Sequence, residues 1–164
     1  MPGWTGVDLY HPDADEKVDL FRLPWPWKDS SVEAVAMFHL LEHFENVETI
    51  VKEVHRILVP DGLFWLKVPH AFGTTSCALG HKSFFTWWTV HELCSDVGHW
   101  FRWPQAVMFR QELYRVRYLT WRGSIQWTPL DFVASKWPQL FEKMSLVRPS
   151  EIEWRGRAIK DGAA

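Results

Sequence analysis

The sequence predicts an α/β domain built on a parallel sheet, and three features of one stretch predict it. Val32 to Phe38 is a near-continuous apolar run with Glu33 as its sole charge, the pattern of a strand buried on both faces. Val47, Ile50, Val51, Val54, Ile57 and Leu58 then recur at helical spacing, and Asn46 before them suits an N-cap. Leu63 to Val68 is a second apolar run, set off by a Pro60-Asp61-Gly62 turn. Strand, amphipathic helix and strand fit within residues 32–68, a βαβ unit whose strands should be parallel and whose crossover should be right-handed.

The bulk numbers set the frame. With 164 residues, 47% hydrophobic and 23% charged, residues 1–164 suffice for one core and are too few for two ordinary domains. No apolar run approaches the roughly 18 to 20 residues of a spanning helix, and no basic-then-apolar leader opens the chain. A soluble, cytoplasmic protein with no membrane partner is expected. Cys77 and Cys94 have no metal-binding or disulfide spacing and read as reduced thiols. Residues 1–98 hold 7 basic against 14 acidic side chains, whereas residues 99–164 hold 11 against 6. Arg102, Arg110, Arg115, Arg117 and Arg122 are interleaved with apolar residues, so a solvated basic face is expected and nucleic acid is not indicated. Twelve tryptophans, many beside Pro or Arg, point to exposed apolar surface for a ligand or partner.

The remaining elements are less regular. Thr5 to Tyr10 and Lys17 to Phe21 read as brief strands, separated by His11-Pro12-Asp13. After His70, residues 73–80 are small and polar, 84–94 should be helical and 99–104 should form a loop. Residues 107–121 alternate loosely, as one strand or a strand pair. Phe132 to Met144 should be a helix interrupted at Pro138, and Ile152 to Ile159 a last strand.

Parallel sheets bind ligands beyond the carboxyl ends of their strands. That rule gathers Asp8, Asp19 with Leu20, the stretch from His39 to His43, and His70 at one rim. An acid at a strand end can accept both hydroxyls of a ribose, which selects Asp8; the alternative is that Asp8 only begins a turn. His70 and His81 flank the small, polar loop, where a general base could reach an incoming hydroxyl or amine. His39-Leu40-Leu41-Glu42-His43 also reproduces the H-x-x-E-H pattern in which two histidines bind zinc and the glutamate activates water. It sits at a strand end rather than inside a long helix, and Glu92, Glu112 and Glu142 have no motif around them to supply a third ligand. No metal is assigned.

Taken in order, the motifs carry a family pattern. They run Gly6-Val7-Asp8-Leu9, Asp19-Leu20, Leu23-Pro24-Trp25, Lys28-Asp29-Ser30-Ser31-Val32-Glu33-Ala34-Val35 and Leu41-Glu42-His43. Glu53-Val54-His55-Arg56-Ile57-Leu58-Val59-Pro60-Asp61-Gly62 and Val68-Pro69-His70 follow. Together they resemble the small class I S-adenosylmethionine-dependent methyltransferases that read D-L, LPFPDNSFD-V, LEH, E-RVLKPGG and VPH. His81-Lys82-Ser83-Phe84-Phe85-Thr86 is similar to an HKRFFT stretch of one branch. The resemblance covers residues 3–95, the implied cofactor-binding core, and leaves 96–164 for the acceptor side, where no motif is recognisable.

The resemblance implies a Rossmann-like, seven-stranded sheet that binds S-adenosylmethionine. The family's ribose acid falls on Asp8, with Leu9 beside it; Asp19 and Leu20 match the pair that frames adenine, and Phe38, His39 and His43 the lining of the methionine end. Methyl transfer needs alignment more than a strong base, so a dedicated catalytic residue is not required. The family's first strand and glycine-rich turn should precede Pro2-Gly3-Trp4, and a fold truncated there, with first strand and helix missing, would bind cofactor weakly or not at all. The central gap would be filled by a partner chain or a second copy. The rival reading is therefore a non-catalytic remnant of the fold, used for binding or assembly.

Overall fold

The computed structural model describes residues 3–73, 75–94, 108–118, 129–143 and 149–160. The βαβ unit is present as expected: strand β1 (Val32–Phe38), helix α1 (Val47–Ile57) and strand β2 (Leu58–Pro69), with β1 and β2 parallel. Asn46 caps α1, its Oδ1 accepting the Thr49 N–H at 3.0 Å. Ile50, Val51, Val54 and Ile57 form the buried stripe of α1 against the sheet.

Helix and strand join without an intervening loop, which the Pro60-Asp61-Gly62 signal did not anticipate. Val32 pairs with Leu58 but Ala34 with Leu63, so the turn residues form a bulge inside β2. Asp61 takes φ +60°, a left-handed conformation that aspartate tolerates, and its carboxylate pairs with Arg110 at 2.9 Å.

The second half completes the sheet. Strand β3 (Phe109–Tyr118) is a single strand, followed by helices α3 (Pro129–Lys136) and α4 (Pro138–Lys143) and by strand β4 (Pro149–Ala158). Pro138 separates the two helices, as the sequence indicates. The strand order is β1-β2-β4-β3, with β4 antiparallel to both its neighbours. Helix α2 (Trp87–His91) is shorter than the 84–94 expectation and starts at a Thr86–Thr89 capping box. The 99–104 loop, Arg102 and Arg122 lie outside the described residues.

Against the expected seven strands, the described residues form four strands and three isolated bridges. The two brief strands near the start reduce to one of these bridges, Val7 with Glu16, made by Glu16 N–H to Gly6 O (3.0 Å) and Asp8 N–H to Glu16 O (3.2 Å). Asx turns at Asp8 and Asp19 end each run early, because both carboxylates accept backbone N–H groups two residues on.

The two faces of the sheet differ in chemistry. Phe64, Leu66 and Val68 of β2 and Ile152 and Trp154 of β4 are fully buried with α1. The opposite face carries Trp65 and Lys67 of β2 across from Arg155 and Glu153 of β4. There Glu153 is buried, and Arg155 (2.8 Å), Arg117 (3.0 Å) and the Trp65 indole N–H (3.1 Å) all donate to it. Arg117 is thus an internal counter-charge rather than part of a solvated basic face.

A loop is pinned beside β1 by the Glu53–Arg56 pair of α1. Glu53 accepts the Trp25 N–H at 2.7 Å, and Arg56 donates to Glu53, to the carbonyls of Trp25 and Trp27, and to Asp29. Trp25 is buried as a result. Among the described residues no helix is long and apolar enough to cross a membrane.

Candidate functional site

A cleft of about 590 Å³ lies between the 3–20 segment and the outer edge of β1. Val7 and Leu20 line one wall, Ala34, Ala36 and Met37 the other, and Trp25 and Trp27 contribute from the pinned loop. Leu40 lines it as well. The chain neighbours of Asp8, Asp19 and His39 therefore converge on one space.

The backbone beside this space is open. In a parallel bridge centred on Val7, Gly6 C=O and Asp8 N–H bond to Glu16, so Val7's own N–H and C=O point away from it. On β1, Ser31 N–H bonds to Ile57 O and His39 N–H to Lys67 O, so the odd-numbered residues face β2. By alternation, the N–H and C=O groups of Ala34 and Ala36 face the cleft. Among the described residues β1 has a strand partner on one side only.

Asp8 is exposed and tightly organised. Its Oδ1 accepts the N–H groups of Tyr10 (2.7 Å) and His11 (2.8 Å). The His11 N–H, then the Tyr10 N–H, hold its carboxyl below the ordinary aspartate value, so it stays ionised. Asp19 accepts the Phe21 N–H at 3.0 Å and pairs with Arg22 at 3.2 Å. Leu20 is half-buried, packs on the core and lines the cleft; Leu9 is exposed and does not line it.

The end of β1 is a charged junction. Phe38 meets Trp65 edge to face at 4.9 Å, and Lys67 Nζ lies 4.9 Å over the Phe38 ring. His39 adopts φ +51°, a conformation costing a non-glycine residue about 1–2 kcal/mol. In return its Nε2 lies 2.8 Å from Glu151 Oε2 and its Nδ1 3.5 Å from Glu42 Oε1. The Glu151 hydrogen bond first, and Glu42 second, raise its pKa to about 9. Glu151 was invisible to sequence reasoning, because no motif surrounds it and its place beside β2 depends on the antiparallel return of β4.

The other histidines divide by their bonds. His43 turns away from the cleft, toward Gly80 O (3.1 Å) and the His81 ring, 4.9 Å away. His70 is fully buried and its Nδ1 accepts the Phe72 N–H at 3.2 Å. His81 uses Nδ1 on Ser76 O (3.1 Å), while its Nε2 lies 4.0 Å from Glu42 Oε1.

Comparison with known proteins agrees with this architecture. Residues 11–66 match the methyltransferase domain family. No curated protein matches by sequence. An S-adenosylmethionine-dependent methyltransferase from Mesorhizobium loti superposes with a TM-score of 0.54 at 20% identity, over 93% of this chain and 79% of that one. A Haloferax volcanii protein solved in complex with the Trm112 methyltransferase activator gives 0.54 at 15% identity, over 95% and 72%. The [4+2]-cyclase SpnF gives 0.54 at 13% identity, over 88% and 56%. The chain has the Rossmann-like α/β fold of these proteins. The segment 11–66, about a third of the chain, is similar to the methyltransferase domain family, and the fold is the one these structures share.

Proposed function

We propose that the chain binds S-adenosylmethionine where the cleft meets the end of β1, and holds it for methyl transfer. Asp8 carries the reading. Two backbone donors fix its Oδ1 and keep the carboxylate charged, and Oδ2 accepts no hydrogen bond among the described residues, which suits it to a ribose hydroxyl. Asp19 and Leu20, of which Leu20 lines the cleft, would frame the purine, and Phe38 and His39 the methionine end, with His43 reaching it only by turning from Gly80 O. The cofactor supplies a methyl group already activated on a sulfonium, so the protein's task is alignment. Residues 1–95 serve the cofactor and 96–164 the acceptor. His81 is better suited than His70 to take a proton from the acceptor, since its Nε2 lone pair is not committed to a backbone donor. Cys77 and Cys94, as thiols, suit the reducing cytoplasm.

The test is calorimetric titration with S-adenosylhomocysteine. The expected result is saturable binding to the wild-type chain, weakened about tenfold or more in Asp8→Ala, the loss of one charge-assisted pair. No binding by the folded wild-type chain would contradict the reading.

A second reading rests on the open backbone at Val7, Ala34 and Ala36. Such an edge accepts an extended segment by β-addition, and the apolar walls suit a strand of apolar side chains from a partner or a second copy. The chain would then be a binding or assembly module, and the Haloferax volcanii complex shows that one protein of this fold is held by another chain.

A further inference from the structure

The turn after β1 and the loop before Phe84 meet around one carboxylate. Glu42 is 1% exposed, yet neither of its oxygens accepts a hydrogen bond among the described residues. A buried carboxylate without donors calls for a cation or a proton. His39 Nδ1 stands 3.5 Å away, near enough for attraction and too far for a good hydrogen bond.

Two further imidazoles approach with fixed tautomers. His43 Nδ1 lies 3.1 Å from Gly80 O, and His81 Nδ1 lies 3.1 Å from Ser76 O. A carbonyl only accepts, so each Nδ1 carries the hydrogen and each neutral ring presents Nε2 as a lone pair. Anchoring Nδ1–H on a backbone carbonyl is how metal-binding histidines are oriented. His81 Nε2 lies 4.0 Å from Glu42 Oε1, and one ligand atom from each of Glu42, His43 and His81 falls within 4.8 Å of the others. Glu42, His43 and His81 thus each bring one possible ligand atom to the same place, with the His39 ring beside Glu42.

We propose that Glu42, His43 and His81 bind a divalent transition metal of the zinc class. Two imidazole nitrogens and one carboxylate oxygen suit that ion and leave a fourth position for water or a ligand. Tetrahedral ligands held at ~2.1 Å from a metal stand roughly 3.4 Å apart, so side-chain rotation of about 1 Å closes the site. Both histidines are only part-buried and have room for it. The arrangement differs from the H-x-x-E-H pattern of the same segment: here Glu42 is a ligand, His39 is turned to Glu151, and the third ligand comes from 38 residues beyond His43. Metal on His81 would also remove it from any role as a base.

The test uses tag-free, chelator-stripped protein titrated with zinc by calorimetry and with cobalt(II) by visible absorption. The expected result is one site per chain with the intense bands of four-coordinate cobalt, and at least about tenfold weaker zinc binding in His43→Gln and in His81→Gln. His55→Gln, distant on α1, should bind like the wild type. Circular dichroism establishes that each variant is folded, and the two histidine variants decide the question if Glu42→Gln is not. Absence of saturable binding would overturn the proposal, as would wild-type affinity in His81→Gln or a loss confined to His39→Gln, which would put the metal on the H-x-x-E-H pair.

Discussion

His39 and Glu151 lie 112 residues apart and meet at 2.8 Å, tying the end of β1 to the start of β4 across the intervening strand. Glu151 is 4% exposed, so the pair places a charge acceptor under a rim residue. The bond holds an imidazole in the left-handed region, where it faces Glu42 as well.

The His39 pKa of about 9 follows mainly from that bond. A group whose pKa is raised above its unfolded value of 6.5 adds stability that is complete below that pH and is lost as pH rises through about 9. An NMR titration of the His39 ring should give a midpoint near 9, and Glu151→Gln should return it toward 6.5. An unshifted midpoint in the wild type would break the relationship.

Gly156 makes room for the largest buried side chain. A Cβ at Gly156 would fall 2.3 Å from Trp154 Cη2, an overlap in a ring that has no freedom to move because it packs on Phe64 and Phe109. Gly156→Ala should destabilise the fold by about 1–3 kcal/mol in urea denaturation. A change below a few tenths of a kcal/mol would show that Trp154 packs differently.

The Glu53–Arg56 pair holds the tryptophan wall of the cleft. Glu53→Ala would leave the buried Trp25 N–H and the Arg56 guanidinium without their acceptor. The expected cost is about 3 kcal/mol, at the low end for a broken buried pair because Arg56 is partly exposed. The Arg56 hydrogen bond lowers the Glu53 pKa, so the pair's contribution is present above the unfolded glutamate value and is lost as pH falls through the lowered one. Denaturation of Glu53→Ala against wild type at neutral and acid pH checks both claims: the gap should narrow in acid.

Alternation along β1 gives a direct reading of its open edge. Amide hydrogen exchange should be slow at Val35 and Met37, which face β2, and fast at Ala34 and Ala36, which face the cleft. Uniform protection along β1 would mean that the edge is already paired, and a partner strand should slow Ala34 and Ala36 selectively.

How far the sequence foretold this follows from where the information lies. β1, α1 and β2 were legible because a continuous apolar run and a helical stripe are local patterns, and Asn46 caps its helix within three residues. The segment at 5–21 was over-read, since Asp8 and Asp19 spend their carboxylates on adjacent turns rather than extending strands. The position of β4 was not legible, because antiparallel insertion between β2 and β3 depends on contacts some 90 residues apart, such as Trp65 with Glu153. The site divides likewise: Asp8, Asp19 and His39 come from motifs, while Glu151 and the burial of Glu42 emerge only when the strands are assembled.

Chemical-shift mapping with S-adenosylhomocysteine on the isotopically labelled chain tests the cofactor site most directly. The account requires the perturbed amides and indoles to cluster at Val7, Asp8, Leu20, Ala36, Met37 and Trp27. Shifts that are absent at saturating ligand, or that gather on the charged face around Trp65 and Arg155, would contradict it.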